Sequence, residues 1–237
     1  MSDTIRERII SAIITKLANV RTANGYNTDC GRYVQRAVKK RDSNKVQSLI
    51  VWPGVEEAER KYQKITCIMP VKIDGEKSFT QAQNPSEVAE QILGDIIEVM
   101  TGIAWTLAYS SGGTYTPQPG DTITGEISGA TARIAGVTLS SGTFGAGSAS
   151  GSFSLLRKSG TFESETLAIG ANSDIATITG DATGQDGATT TTGGLADSIE
   201  YAQGGVEEYP EISDGIIGVS ALFNVKYQFL SGNPYSQ

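Results

Sequence analysis

Side chains that carry catalysis or bind metals are scarce in this sequence. Its 237 residues include no histidine, which removes the most common general base, a frequent metal ligand and every triad built on imidazole. No Gly-x-x-x-x-Gly-Lys-Ser/Thr sequence occurs, and Gly145, Gly147 and Gly151 lack the spacing and the strand-to-helix setting of a dinucleotide fingerprint. We therefore expect no catalytic residue and no cofactor, and the chain is not expected to be an enzyme.

Two further candidates for chemistry are better explained by structure. Asp181, Asp186 and Gly187 suggest a calcium loop, but the alternating oxygen ligands and the distal glutamate of such a loop are missing, so we expect a solvated linker and no metal. Cys30 and Cys67 lie in apolar or strand-like settings, where buried thiols are common. We expect both cysteines to be buried and structural.

Two charged clusters are candidates for contacts between subunits. The basic cluster could face DNA or acidic groups of a neighbouring copy, and a solvated loop is the equally weighted alternative. Opposite clusters on one subunit suit head-to-tail packing, which produces a ring when the rotation closes. The basic cluster is Arg36, Lys39, Lys40 and Arg41, and the acidic cluster is Glu207, Glu208 and Glu211.

The outer parts of the chain have the patterns of packed helices and strands. Thr4 and Glu7 have capping-box spacing before an apolar stripe of period four, and Asn84-Pro85 opens a second amphipathic helix. Residues 65–73 and 219–229 alternate with period two, and residues 32–38 and 49–52 form shorter candidate strands. These patterns predict an α+β domain, with a mainly antiparallel sheet of about four strands covered on one face by two helices.

The middle of the chain differs in composition. Between residues 105 and 193, 45 of 89 residues are Gly, Ser or Thr, and five short β-prone segments alternate with glycine-bearing turns. We therefore expect one discontinuous domain from residues 1–104 and 194–237, with residues 105–193 inserted as an all-β sandwich or barrel. Residues 110–113 and 184–194 are expected to be flexible connectors at its flanks.

Charge and hydropathy narrow the classes of partner. The net charge is −7, and residues 1–104, 105–193 and 194–237 carry net charges of +2, −4 and −5. Without a strongly positive domain, sequence-specific nucleic-acid binding is disfavoured. No apolar run is long enough to span a bilayer and the N-terminal residues lack a signal-peptide core, so we expect synthesis in a cytosol and no membrane contact.

The outer segments together resemble a family of viral assembly proteins. The resemblance rests on the element order and on residues 194–201, 204–211 and 223–235, the last of which end in Gly-Asn-Pro-Tyr. They are similar to the tail terminator (tail completion) proteins of long-tailed, non-contractile bacteriophages. Residues 120–132, Gly-Asp-Thr-Ile-Thr-Gly-Glu-Ile-Ser-Gly-Ala-Thr-Ala, are similar to β-modules of phage tail and tip proteins.

This resemblance implies a structural protein of the virion, made in the host bacterial cytoplasm and located at the tail–neck junction. It implies a homo-oligomeric ring, usually a hexamer, that caps the tail tube, ends elongation and binds the head–tail connector or neck protein. DNA would pass through the lumen without sequence-specific recognition. The Gly-x-Pro-Tyr tail adds Pro234 and Tyr235 to the interface candidates.

Three alternative functions are consistent with the sequence. The chain could be a head–tail adaptor or a tail-tube subunit, which copy number per particle distinguishes from a terminator. It could also be a carbohydrate-binding decoration, because aromatic side chains on an exposed β-fold can stack on sugars. The aromatic residues concerned are Tyr109, Tyr115, Phe144, Phe153 and Phe162.

Overall fold

The computed structural model describes residues 3–37, 47–80, 82–208 and 215–237, apart from the side chains of Glu207 and Glu208. In these residues the fold is mixed α+β and mostly β, with three α-helices and two sheets. The chain divides into two compact units. The first is Met1–Arg21, Asn27–Gly102 and Asp186–Gln237, and the second is Thr22–Tyr26 and Ile103–Gln185.

The three helices belong to the first unit. Helix α1 spans Ile5–Leu17, α2 spans Pro85–Thr101 and α3 spans Gly187–Thr192. Thr4 caps α1 by accepting a hydrogen bond from the Glu7 N–H at 3.2 Å, and Asn84 caps α2 by accepting from Ser86 at 3.1 Å. Both predicted helices and their caps are confirmed.

In the part of the chain that the structure describes, thirteen strands form the two sheets. The first unit contains β1 (Val34–Arg36), β2 (Gln47–Pro53), β3 (Glu57–Lys61), β4 (Lys64–Ser78), β12 (Ser198–Glu208) and β13 (Ile216–Leu230). The second unit contains β5 (Ala104–Gly112), β6 (Thr122–Gly125), β7 (Thr131–Ser141), β8 (Ala149–Ser159), β9 (Ser164–Ile169), β10 (Asn172–Thr179) and β11 (Thr183–Gln185).

The sheet of the first unit joins the two ends of the chain. Its order is β1-β2-β4-β13-β12, and β3 pairs with β4 where β2 has ended. The last strand, β13, pairs antiparallel with β4 from Ile216 opposite Ser78 to Leu230 opposite Lys64. The predicted placement of the final strand beside the early ones is therefore confirmed.

The core of the first unit lies between this sheet and the helices. Alternate residues of β4 and β13 are buried, including Met69, Val71, Phe223 and Val225. Gly75 of β4 brings α2 close to the sheet, because a Cβ added there would lie 2.6 Å from Cγ2 of Ile92. This packing is what the period-two and period-four patterns predicted.

The predicted element count for this unit was too small. Counted over the described residues alone, the sheet has six strands where about four were predicted, and three helices accompany it where two were predicted. Strands β3 and β12 are rich in charged residues or glycine, which have low strand propensity, and β3 is fully exposed. Their pairing with long neighbouring strands, and not their own sequence, makes them strands.

The expected connectors are regular structure. Residues 110–112 belong to β5, the four consecutive threonines at 189–192 belong to α3 in the first unit, and the second compact unit ends at Gln185. Asp186 caps α3 by accepting a hydrogen bond from Thr189 N at 2.8 Å, and the buried Thr191 hydroxyl donates to Val99 O of α2 at 3.0 Å. These side-chain hydrogen bonds allow a threonine-rich helix to pack.

The second unit is a closed β-structure. Its sheet runs β10-β9-β6-β7-β8-β5-β11, and pairing of Thr177 in β10 with Ser110 in β5 closes it. All five predicted β-segments are strands. The interior is apolar and includes a stacked pair, Tyr109 and Phe153, with ring centroids 4.2 Å apart.

The chain begins and ends the second unit at neighbouring points. Ala104, at the start of β5, pairs with Gln185, at the end of β11. In the first unit, Thr101 and Gly187 are also adjacent, since a Cβ added at Gly187 would lie 2.6 Å from the Thr101 carbonyl carbon. The long segment of the second unit, Ile103–Gln185, therefore has its two ends close together, and the residues of the first unit that flank this segment are also close together.

Candidate functional site

The sheet of the first unit has two open sides. Among the described residues, β1 and β3 form one edge and β12 forms the other. An open edge presents unpaired backbone groups that can pair with another chain. Strand β12 carries three glutamates and no lysine or arginine, whereas the turn after β3 is basic. The β12 edge is therefore acidic in sequence, whereas β3 has two acidic and two basic residues and only the turn that follows it is basic.

The hairpin that joins β3 to β4 ends in an unusual aromatic residue. Tyr62 is 91% exposed and has a φ of 57°. The left-handed region costs a residue with a side chain about 1–2 kcal/mol, and glycine or asparagine is normal there. Backbone strain combined with full exposure favours a functional role over a role in packing. The residues around it, Arg60, Lys61 and Lys64, are also exposed and are all cationic.

Arg6 of α1 holds the base of this hairpin. Its guanidinium donates to Gly54 O at 2.8 Å and pairs with the Glu56 carboxylate at 3.1 Å. Glu56 also accepts a hydrogen bond from the Tyr227 hydroxyl. Burial, followed by this hydrogen bond, raises the pKa of Tyr227. The link between β2 and β3 is thus fixed to both a helix and the last strand.

A groove lies on the sheet near the β12 edge. Its volume is about 380 Å³, and Lys72, Gly205, Val206 and Leu222 are among its lining residues. A Cβ added at Gly205 would meet nothing within 4 Å, so the backbone forms an open floor. The Lys72 ammonium is paired with the buried Asp74 at 3.2 Å, which compensates its charge. This groove can accept a flat apolar or aromatic group.

The structure gives Arg36 an intramolecular partner. Its Nη1 donates to both carboxylate oxygens of Glu7, at 2.6 and 2.7 Å. Of the basic cluster, Lys39, Lys40 and Arg41 lie outside the described residues. Arg36 therefore ties β1 to α1, and the interface hypothesis for this cluster depends on the other three residues.

The acidic cluster and the C-terminal tail are placed only in part. Glu207 and Glu208 belong to β12, but their side chains and all of Glu211 lie outside what the structure describes. Pro234 O accepts a hydrogen bond from Ile5 N at 2.9 Å, and Tyr235 is 50% exposed. The tail therefore closes on the start of α1, and of the two tail candidates Pro234 is half-buried and Tyr235 is exposed.

A carboxylate that the sequence patterns did not single out anchors the loop at Asn27 and Thr28 of the first unit. Asp95 on α2 is fully buried. It accepts hydrogen bonds from the backbone and side-chain amides of Asn27 and from the backbone N–H and hydroxyl of Thr28, at 2.8 to 3.1 Å. Because these donors satisfy the carboxylate, its burial is structural.

The phage-like segment 120–132 contains a turn held by a distant glutamate. Glu165 accepts hydrogen bonds from Ile127 N, Ser128 N, Ser128 Oγ and Glu163 N at 2.6 to 2.9 Å. Burial raises the pKa of this carboxyl, but the hydrogen bonds outweigh burial and lower it to about 2. The turn presents Ile127, which is 71% exposed, so the segment is a rigid scaffold with one apolar residue at its apex.

The aromatic residues considered for sugar stacking lie mainly in the core of the second unit. Four of them are at most 6% exposed, and Tyr115 is partly buried with its hydroxyl bonded to Asp121 at 3.1 Å. The four are Tyr109, Phe144, Phe153 and Phe162. Buried rings cannot stack on a ligand, so no observation favours carbohydrate binding.

The remaining chemical groups have structural settings. Cys30 and Cys67 are buried and unpaired, as predicted, and burial raises the pKa of Cys30 to about 11. Within the described ranges, no group of three or more Cys, Asp or Glu side chains could hold a metal ion. No helix in that part of the chain has the length and apolar character to cross a membrane.

Comparisons with known proteins do not assign a function to this chain. No family model matches the chain, and no curated protein matches it. A functional proposal therefore has to start from the first unit: the edges of its described sheet, the basic turn between β3 and β4, and the acidic sequence of β12.

Proposed function

We propose that this protein is a structural subunit of a bacteriophage virion, without catalytic activity, that forms a ring on the end of the tail tube. The observation that carries the proposal is the sheet of the first unit: within the described part of the chain its two edge strands pair with no further strand, and the sequences at the two edges differ in charge. Such a subunit can bind the next copy head to tail, and a heterologous contact that closes by rotation gives a ring. The resemblance to tail terminators supplies the biological setting.

In this proposal, the ring acts by its two unlike faces. One face binds the last ring of the tail tube protein, and the other offers no surface for a further tube ring, so elongation stops. The second face instead receives the head–tail connector or neck protein. DNA passes through the lumen without base-specific contacts, consistent with the absence of a strongly basic domain. A hexamer is the expected stoichiometry.

We also propose that the second unit is a barrel inserted into the first. The adjacency of Ala104 with Gln185, and of Thr101 with Gly187, supports this arrangement. Insertions are tolerated where the chain leaves and returns at neighbouring exposed points. The barrel would project outward as decoration or contact neighbouring neck or tail surfaces. Ile127, in the turn that Glu165 holds, would be its most exposed large apolar side chain.

The hypothesis of opposite clusters has a direct test. The variant Lys39→Glu/Lys40→Glu/Arg41→Glu reverses the basic cluster without touching Arg36, which is engaged by Glu7. We expect it to lower the mass of the assembly, measured by sedimentation velocity. The matched variant Arg60→Glu/Lys61→Glu/Lys64→Glu reverses three charges at the hairpin instead. Comparing the assembly masses of the two variants shows which of the two sites the interface uses. Unchanged assembly of the first variant would remove the basic cluster from the interface.

Tail length tests the terminator role itself. In a phage that encodes this chain, an early stop codon in its gene should give tubes of variable and excessive length, because nothing caps them. Complementation with the wild-type chain should restore one length. Tails of normal length that lack heads would instead identify a head–tail adaptor, and complete absence of tubes would identify a tube subunit.

A further inference from the structure

The exposed hairpin and the groove are complementary features of one chain. Tyr62 projects from a tip flanked by three exposed cations, Arg60, Lys61 and Lys64, while the exposed Glu57 and Glu59 lie further from the tip along β3. The groove borders β12, which carries Glu200, Glu207 and Glu208 and no cation in its sequence. An aromatic residue within a basic tip matches a glycine-floored groove beside an acidic strand.

The two features are far apart within one copy. Along β13, the hairpin lies opposite Leu230 and Phe229, while the groove lies at Ser220 and Leu222. Eight residues of strand separate Leu222 from Leu230, which is about 26 Å. A rigid hairpin fixed to β13 by the Ser231 N to Gln63 O hydrogen bond at 2.7 Å cannot fold back to its own groove.

We propose that Tyr62 of one copy inserts into the Gly205 groove of the next copy. The inference rests on the proposed ring, since it assigns the contact that joins neighbouring subunits. The ring of Tyr62 fills the groove against Val206 and Leu222, and the flanking cations face the acidic strand. Because Lys72 is paired with Asp74, it does not oppose the approach of these cations.

A second copy fits the hairpin better than nucleic acid does. The basic tip alone could contact phosphates, but residues 1–104 have a net charge of only +2 and residues 194–237 have a net charge of −5. The acidic strand that would repel DNA is also the strand that borders the groove. The charge arrangement therefore favours binding between copies of this chain.

Engineered disulfides test the contact in the full chain. Tyr62→Cys and Gly205→Cys are made as separate variants, mixed and oxidised with diamide. We expect a covalent dimer in the mixture and not in either variant alone, because the contact is heterologous. Background reaction is low since Cys30 and Cys67 are fully buried. Glu90→Cys, exposed on α2 away from the groove, replaces Gly205→Cys as the matched control and should give no dimer.

Two further variants separate binding from folding. Tyr62→Gly relieves the left-handed strain and should keep or raise the melting temperature while weakening self-association about 30-fold, the loss typical of a central aromatic anchor. Gly205→Leu fills the groove without a clash and should have the same effect on association. Tyr62→Phe keeps the ring and should assemble as the wild type does.

The outcomes distinguish this contact from the ring itself. If Tyr62→Gly and Gly205→Leu form rings as the wild type does, and no mixed disulfide forms, the Tyr62 contact is overturned. The ring proposal would then still stand. A wild-type chain that stays monomeric alone and on isolated tail tubes would overturn both. Loss of binding to a duplex oligonucleotide in Tyr62→Gly, without a mixed disulfide, would assign the hairpin to nucleic acid.

Discussion

At the scale of single residues, Asp95 determines how the loop at Asn27 and Thr28 is held. Asp95→Ala would leave four buried or half-buried donors without their acceptor, so we expect the free energy of unfolding of the first unit to fall by about 3 kcal/mol. Urea denaturation measures the change. Glu90→Ala, exposed on the same helix, should change it by less than about 0.5 kcal/mol. Equal effects of both variants would contradict the anchoring role.

Glu165 makes the stability of the second unit depend on pH. Its pKa is about 2 in the folded protein and 4.5 in its ordinary state. A depressed folded-state pKa gives stabilisation that is complete above about pH 4.5 and is lost as the pH falls from there through 2. Glu165→Gln should therefore lower the free energy of unfolding by about 2 kcal/mol at pH 7 and show a weaker loss on acidification.

Thermal unfolding at pH 7 and pH 3, followed by Trp105 fluorescence in a Trp52→Phe background, checks this dependence in the second unit. The matched control is Glu163→Gln, at an exposed position. It should lose as much stability between pH 7 and pH 3 as the parent protein does. If Glu165→Gln lost as much stability on acidification as Glu163→Gln, the carboxylate would not be the source of the acid sensitivity.

Residue patterns predicted local roles and missed distant ones. The burial of Cys30 and Cys67 follows from their apolar neighbours in sequence. The partners of Asp95 and Glu165 lie more than 35 residues away along the chain, apart from the local bond to Glu163, so no spacing rule identifies them. Tyr62 looks like an ordinary turn residue until its φ and exposure are known.

At the scale of elements, α3 depends on its cap. Asp186 accepts hydrogen bonds from the backbone and hydroxyl of Thr189 at 2.8 and 2.9 Å. Asp186→Ala should lower the free energy of unfolding of the first unit by about 1 kcal/mol, the usual cost of losing an N-cap. Chemical denaturation measures it, with the exposed Asp197→Ala as control. An unchanged value would show that packing on α2 alone forms this helix.

The elements that the sequence predicted are those with long, regular apolar patterns. Helices α1 and α2 have caps and an apolar stripe, and the fifteen-residue strands β4 and β13 alternate in sequence over residues 65–73 and 219–229. Helix α3 has only six residues of low helix propensity, and β3 has no apolar alternation. Both form because a neighbouring element supplies their hydrogen bonds, which a local pattern does not contain.

At the scale of the whole molecule, the positions of the chain connections predict that the segment Ile103–Gln185, which is the second unit apart from Thr22–Tyr26, can be removed. Thr101 and Gly187 are adjacent in the first unit, so a short Gly-Ser linker in place of residues 103–185 spans them without strain. We expect the shortened chain to unfold cooperatively, as measured by calorimetry, because its sheet and helices are complete. A shortened chain with no unfolding transition would contradict the independence of the first unit.

The sequence predicted the α+β class and the pairing of the first and last strands, since both depend on stripes that need burial. It did not predict the surfaces that carry the proposed function. The groove at Gly205 arises from the consecutive strands β12 and β13 together with β4, which is distant from them in sequence, and the charge difference between the edges appears only when the strand order is known. The assembly surface is therefore a property of the folded sheet.

The position and copy number of this protein in the virion test the central claim most directly. Cryo-electron microscopy of phage particles carrying the chain, with a label fused to the second unit, measures both. The account predicts one ring per particle, at the junction of tail and neck. Label repeated along the whole tail, or absent from purified particles, would contradict it.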